Sequence, residues 1–296
     1  MKLGMVGLGK MGANMAARLT EAGHEVVGYD AFSKDTQVGS LGELVQALDA
    51  PRVVWLMVPS GDPTQATVDE LAKLLSRDDV VIDGGNSNWR DSVRRGTALA
   101  EQGIGFVDCG TSGGVWGRAN GYSLMVGGDD AHVALVEPLF LALKPTEGGY
   151  AHVGALGTGH FTKMVHNGIE YGLMQSYAEG YELLARSGLG IDVTAALEAW
   201  QHGSVVRSWL LDLLVLALQE APGLEGIAGV AKDSGEGRWT VLEAIERGVA
   251  TPAISAALHA RFVSQVDDSV AMKAVAALRN QFGGHGVVTE PGGTTT

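Results

Sequence analysis

KLGMVGLGKMG (Lys2 to Gly12) opens the chain with an apolar run and a glycine loop, and a helical segment, NMAARLTEAG, follows at once. Gly7, Gly9 and Gly12 stand in the G-x-G-x-x-G spacing. The first glycine permits a tight turn, the second lets a pyrophosphate approach the backbone, the third lets helix pack on strand, and the helix N-terminus supplies amide donors. Leu8, Lys10 and Met11 are the intervening cofactor-binding positions. Alone, the spacing is a weak signal. Here it lies between a strand and a helix, and a second strand, EVVGYD, ends on an acid, Asp30. That context predicts a dinucleotide-binding half. A carboxylate at Asp30 can accept hydrogen bonds from both adenosine ribose hydroxyls and would repel a 2′-phosphate, so NAD is favoured over NADP. Lys34 is close enough in sequence to fold back on a 2′-phosphate, although a solvated lysine is the commoner outcome.

Outward from this loop, short β-branched runs alternate with helix-length pieces through KLGMV, EVVGYD, RVVWLMV, DVVIDGG and GFVDCG. Such alternation argues for a parallel sheet with crossover helices. Near Gly148 the texture changes: GGYAHVGALGTG is glycine-rich, and beyond it strand-like runs give way to long helical periods. The expected architecture is an α/β N-terminal Rossmann-type doubly wound sheet (residues 1–156) followed by an all-α C-terminal domain (residues 157–296). The closing EPGGTTT reads as a frayed tail.

Composition limits the partners. The formal net charge is −13, from 34 acidic and 21 basic residues, and no basic run is present, so nucleic acid and anionic membrane are poor partners. Any anionic substrate must meet a local basic cluster. The single Cys109 excludes an internal disulfide and a multi-cysteine metal site, in keeping with a reducing, cytoplasmic setting. The N-terminus lacks the apolar core of a signal peptide. The most apolar stretch, LLDLLVLAL (Leu210 to Leu218), contains Asp212 and falls short of the roughly 18 residues of a membrane span. It reads as a buried helix.

Three strand-end loops face the crevice where such sheets bind ligands. VPSGDP, with Val58 and Pro59, and GGNSNW, with Asn86, lie where a nicotinamide would reach, though either could be only a turn. DCGTSGG offers the Ser112 hydroxyl and the amides of Gly113 and Gly114, donors that suit a carboxylate as well as a plain glycine turn. Farther on, KMVHNGIEYG puts Lys163, His166, Asn167, Glu170 and Tyr171 at i, i+3, i+4, i+7 and i+8, on one face of a helix. Taken by itself, that window most often means a solvated stripe.

Read in order, GLGKMG, DGGNSNW, DCGTSGG, GTGHFTKMVHNGIEYG, GEGRWT and RNQFGGH resemble the decarboxylating 6-phosphogluconate dehydrogenases, in their short form, from about Lys2 to His285. Related β-hydroxyacid dehydrogenases share the glycine loop, the serine-glycine-glycine loop and the lysine, but usually lack the following His-Asn-x-x-Glu-Tyr. The resemblance implies oxidation of 6-phospho-D-gluconate at C3, decarboxylation to an enediol, and protonation to ribulose 5-phosphate, with no metal. It casts neutral Lys163 as the base that takes the C3 hydroxyl proton, and Glu170 as the acid that protonates the enediol. His166 and Asn167 would hold substrate hydroxyls, Ser112, Gly113 and Gly114 the carboxylate region, and Asn86 the substrate near the nicotinamide.

The same resemblance assigns the phosphate to Tyr171, Arg238, Arg261, Arg279 and His285. It also implies a homo-oligomer, dimer or tetramer, in which the C-terminal Arg279 to His285 segment enters a neighbouring site. Arg238 stands where the long form usually has lysine, and the loop after Gly114 continues as VWG in place of that form's acidic pair. The competing expectations are a relative acting on a small, non-phosphorylated hydroxy acid, and a non-catalytic dinucleotide-binding protein.

Overall fold

The computed structural model describes residues 1–288, so the tail expected to fray lies outside the described residues. The chain divides into two compact units, Met1–Gly168 and Ile169–Thr296. The first holds a sheet of strands β1 (Lys2–Val6), β2 (Glu25–Tyr29), β3 (Val53–Leu56), β4 (Val80–Asp83), β5 (Gly105–Ser112), β6 (Ser123–Gly128) and β7 (Tyr150–Gly154). Their order is β2-β1-β3-β4-β5-β6-β7. Strands β1 to β5 pair in parallel, β6 runs antiparallel to β5, and β7 pairs in parallel with β6. The five apolar runs of the sequence are β1 to β5. The last two strands went unread because SLMVGG ends on glycines and YAHVG lies in a glycine-rich stretch.

Both faces of the central strands are covered, which is why β1 and β3 are apolar and buried along nearly their whole length. Val53 and Trp55 of β3 join one core, whereas Val54 and Leu56 join the other. Helices α1 (Lys10–Glu21), α2 (Leu41–Gln46), α3 (Asp62–Leu74), α4 (Trp89–Ala100), α5 (Gly117–Asn120) and α6 (Asp130–Leu143) link the strands. On the first face, Met15 and Leu19 of α1 pack with Val136 and Phe140 of α6. On the second, Leu44 of α2, Val68 and Leu71 of α3 and Leu99 of α4 pack together. The sheet is therefore doubly wound, and the chain reverses direction between β1 and β3, where such sheets hold their ligands.

A 28-residue helix, α7 (Thr158–Ala185), crosses from the first unit into the second. The described elements beyond it are helical: α8 (Val193–Trp200), α9 (Trp209–Glu220), α10 (Glu236–Glu246), α11 (Pro252–Val263) and α12 (Val270–Gly283), with one short 3-10 turn. Two small cores hold this unit. Leu197, Leu211, Val215 and Leu218 form one, with Tyr177 and Tyr181 packed against it; Tyr171, Ala257 and Leu258 form the other. The apolar stretch expected to be a buried helix is α9, and it is amphipathic: Leu211, Val215 and Leu218 are inside, while Trp209 and Leu216 are exposed. Among the described residues, no helix is long and apolar enough to cross a membrane.

Candidate active site

The three glycines of the first loop serve three different ends. Gly7 has φ +93°, and a Cβ there would stand 2.5 Å from the Met57 carbonyl oxygen. At Gly12 a Cβ would stand 2.0 Å from the Gly7 carbonyl oxygen, so helix and loop could not close. A Cβ at Gly9 would meet nothing within 4 Å among the described residues, so that side of the loop is open to a phosphate. Gly9 is also the N-cap of α1, with no side chain bonded to the helix amides, and Lys10 and Met11 lie in the first turn. The Leu8 amide is engaged differently: it donates to Asp30 Oδ2 at 2.7 Å.

Asp30 thus ties the glycine loop to the end of β2. Its other oxygen accepts from the amides of Phe32 (2.8 Å) and Ser33 (3.1 Å). The Phe32 amide is the main cause that holds its carboxyl below the usual value; burial opposes, and the Leu8 and Ser33 amides reinforce it. Asp30 is therefore an anion at neutral pH. Lys34 is exposed.

Val58 and Pro59 follow β3, and the Thr64 hydroxyl closes their loop by donating to the Pro59 carbonyl at 2.8 Å. Asn86 follows β4 and is exposed. Its loop is fixed from below by groups that sequence reasoning missed. Asp83 accepts from the Ser87 hydroxyl at 2.8 Å and from the Gly85 amide at 3.1 Å, and it faces Arg95 at 3.5 Å, both side chains fully buried. Arg95 also donates to the Gly61 carbonyl and to Gln65, so one guanidinium braces both loops. The available signal was Asp83 itself, an acid at the end of the apolar run VVID.

On β5, alternate residues share one face, so Asp108, Gly110 and Ser112 point the same way. Asp108 is fully buried and accepts from the Gly157 amide (2.6 Å) and the His160 amide (2.8 Å), which clamps the start of α7. At Gly110 a Cβ would stand 2.3 Å from Lys163 Cβ, so glycine is what allows the lysine to lie against the strand. Ser112 comes next on that face, with Gly113 and Gly114 both at positive φ beyond it. Lys163 thereby lies against the strand whose end carries the serine-glycine loop. Asp108 was another miss, though a carboxylate within a strand run marked it. His160 is buried, with Nδ1 2.7 Å from the Ser92 hydroxyl. Cys109, pointing to the opposite face, is fully buried, and burial pushes its thiol up to about 12.

The stripe on α7 is not solvated. Lys163 is 8% exposed and Tyr171 3%, while His166, Asn167 and Glu170 are half-buried. The apolar Ile169 and Leu173 take the outside, at 52% and 42%. The helix thus turns Lys163 and Tyr171 inward beside the apolar Met164, which is 2% exposed. His166 Nδ1 lies 2.9 Å from Asn167 Oδ1.

In the second unit, Tyr171 gathers three of the proposed phosphate ligands. The Arg261 guanidinium lies 3.3 Å above its ring. Its hydroxyl donates to Asp233 at 3.0 Å and accepts from the Ser234 amide at 2.9 Å. Arg238 donates to the other Asp233 oxygen at 3.0 Å. Burial, the largest influence on Asp233, pushes its carboxyl up, but the Gly235 amide, the Tyr171 hydroxyl and Arg238 together hold it below the usual value. Asp233, unread in the sequence, aligns Tyr171 and Arg238. Arg279 and His285 are not brought to this cluster; they are exposed, on and just beyond α12, a helix that buries none of its residues. No group of three or more His, Cys, Asp or Glu suited to a metal is found among the described residues.

Two family models match the chain: the NAD binding domain of 6-phosphogluconate dehydrogenase over residues 2–147, and the 6-phosphogluconate dehydrogenase C-terminal domain over residues 159–288. Bacillus subtilis YqeC, whose name assigns it provisionally to the 6-phosphogluconate dehydrogenases, is 43% identical over 96% of this chain and 98% of its own. The NAD(+)-dependent, decarboxylating 6-phosphogluconate dehydrogenase of Haloferax volcanii is 42% identical over 97% of this chain and 98% of its own. Among solved structures, the Plasmodium falciparum 6-phosphogluconate dehydrogenase, described in its apo form and with NADP+ or 6-phosphogluconate, aligns at TM-score 0.79 and 26% identity. That alignment covers 99% of this chain and 67% of the other.

Proposed function

The chain belongs to the 6-phosphogluconate dehydrogenase family, and from that premise we propose the reaction its residues carry. It oxidises 6-phospho-D-gluconate at C3 with a nicotinamide dinucleotide as hydride acceptor, releases carbon dioxide and yields D-ribulose 5-phosphate. The observation that carries the catalytic assignment is the burial of Lys163 on α7, withdrawn from water while Ile169 on the same helix is exposed.

In this reading the neutral Lys163 amine takes the proton of the C3 hydroxyl as hydride leaves C3. The resulting ketone is β to the carboxylate and accepts the electron pair of the breaking carbon–carbon bond, which is why the reaction requires no metal. The Lys163 ammonium then donates to the developing enolate oxygen. Glu170, two turns along the same helix face, delivers a proton to the carbon that lost carbon dioxide while the Lys163 amine takes back the proton of the enediol hydroxyl, which gives the ketone of the product. His166 and Asn167 bind substrate hydroxyls, Asn86 contacts substrate near the nicotinamide, and Ser112, Gly113 and Gly114 donate to the carboxylate. Arg261 and Arg238 bind the phosphate with Tyr171, a local cationic group within a chain of net charge −13. A small unphosphorylated substrate would leave Arg261, Arg279 and His285 without a ligand.

Dinucleotide binding uses the loop from Gly7 to Gly12, the Val58–Pro59 turn and Asp30. Anionic Asp30 supports a preference for NAD over NADP, and the Haloferax relative is named NAD(+)-dependent. We assign residues 157–296 to substrate binding and oligomer formation. An unburied α12 supports the latter, with Met272 60%, Leu278 68% and Phe282 95% exposed. In a homo-oligomer that helix would bring Arg279 and His285 to a neighbouring site. A reducing, cytoplasmic setting suits the buried Cys109 thiol.

The test is simultaneous measurement of carbon dioxide release and NADH formation over a panel of hydroxy acids. Both products from 6-phosphogluconate are expected. NADH from a small hydroxy acid with neither product from 6-phosphogluconate would overturn the substrate assignment, and a kcat/KM for NADP above that for NAD would overturn the cofactor preference.

A further inference from the structure

Phe32 is 99% exposed, although it lies two residues beyond the acid that closes the dinucleotide loop. A lone exposed aromatic is ordinary on a protein surface. Its position is not, because one carboxylate spans the two segments: Asp30 Oδ2 accepts from Leu8 of the glycine loop at 2.7 Å, and Oδ1 accepts from the Phe32 amide at 2.8 Å. The backbone of Phe32 is thus held beside the loop where the pyrophosphate approaches. The segment is built, not slack: the Ser33 amide also donates to Asp30, the Asp30 amide donates to the Thr36 hydroxyl, and that hydroxyl donates to the Val38 carbonyl. The Gln37 amide then donates to the Gly28 carbonyl and closes the turn onto β2.

We propose that Phe32 is the adenine platform of this enzyme, a flat face on which the purine ring of the cofactor stacks. The inference rests on the cofactor reading above and deepens it. A ribose whose hydroxyls bond Asp30 carries its base on the neighbouring carbon, within reach of a side chain two residues away. An aromatic ring fits a purine by stacking, with no need for charge. That matches the composition of the segment AFSKDTQVGS, where a single lysine is followed by an aspartate. Stacking on Phe32 also recognises adenine without rewarding a 2′-phosphate, so affinity at this end comes from the base and the anion at Asp30 filters the ribose.

The experiment measures binding of ADP-ribose, NAD and 6-phosphogluconate by titration calorimetry to the full-length protein and to Phe32→Ala and Phe32→Trp. Phe32→Ala is expected to weaken ADP-ribose and NAD by about five- to tenfold, at the low end of measured base–aromatic stacking, and to leave 6-phosphogluconate unchanged. Phe32→Trp is expected to bind both dinucleotide ligands at least as tightly as the parent. ADP-ribose binding unaltered in Phe32→Ala, or equal weakening of all three ligands, or a Phe32→Trp protein as weak as the alanine variant, would each overturn the platform while leaving the cofactor reading standing. A parent protein that binds neither NAD nor ADP-ribose would overturn that reading, and the platform with it.

Discussion

The glycine loop and the polar stripe of α7 are both short motifs, yet they carry their information in different ways. In the loop the constraint is backbone geometry a few residues long: Gly7 at positive φ, Gly12 pressed on the Gly7 carbonyl, Gly9 open. A local sequence window contains all of that. In α7 the same window contains only a period, which by itself most often means a solvated face. What decides between that and a buried face is which side the fold covers, and that is set by Asp108 and Gly110 on a strand about fifty residues earlier.

That contrast can be broken at its strongest point. Asp108→Ala strands two buried amide donors and should destabilise the chain by about 2–6 kcal/mol, at roughly 1–3 kcal/mol for each unpaired group. Thermal unfolding measures the loss. Where the variant folds, kcat for 6-phosphogluconate should fall further than its KM changes, since the clamp places the base; a stability loss with kcat intact would separate Asp108 from Lys163. Next in size, Arg261→Ala should raise KM for 6-phosphogluconate by about ten- to a hundredfold through loss of a charge-assisted contact, with KM for NAD unmoved. Equal effects on both would make Arg261 a structural partner of the Tyr171 ring.

The glycines sharpen the comparison from the other side. Gly9→Ala meets open space, so its Tm should stay within a few degrees of the parent while NAD binding weakens; Gly12→Ala meets a carbonyl at 2.0 Å and should lose stability. Matching stability losses in the two variants would contradict the separate roles given to these positions.

The smallest effect is on acid stability. The carboxyls of Asp30 and Asp233 are both lowered from 3.8 in the folded chain. A lowered folded value means the unfolded chain binds the proton more readily, so their contribution is full above about pH 4 and fades as pH falls through the folded values. Asp233→Asn should therefore flatten the loss of stability below pH 4 in an acid titration followed by circular dichroism. An unchanged acid limb would remove Asp233 from that role.

How much could be read in advance follows the same division. Strands β1 to β5, the doubly wound sheet and the helical second half were legible, because apolar runs and periods are written locally. Strands β6 and β7 were not, since glycines at Gly127 and Gly128 are there for close approach to other elements and not for strand propensity. The groups that hold the site, Asp83, Arg95, Asp108 and Asp233, were missed because a charge has no assigned role until its partner, distant in sequence, is known. Lys163 and Ser112 were named from sequence as separate groups; that Lys163 lies against Gly110, on the strand that ends at Ser112, is a property of the fold.

The central claim is that the inward polar face of α7 performs the proton transfers, with Lys163 serving the oxidation and Glu170 the later protonation. The most direct test is stopped-flow NADH formation with 6-phosphogluconate in Lys163→Met and Glu170→Gln, each verified as folded. The account predicts no NADH burst in Lys163→Met, and in Glu170→Gln a burst of about one equivalent per site followed by slow turnover. A normal burst in Lys163→Met, or unimpaired steady-state turnover in Glu170→Gln, would contradict it.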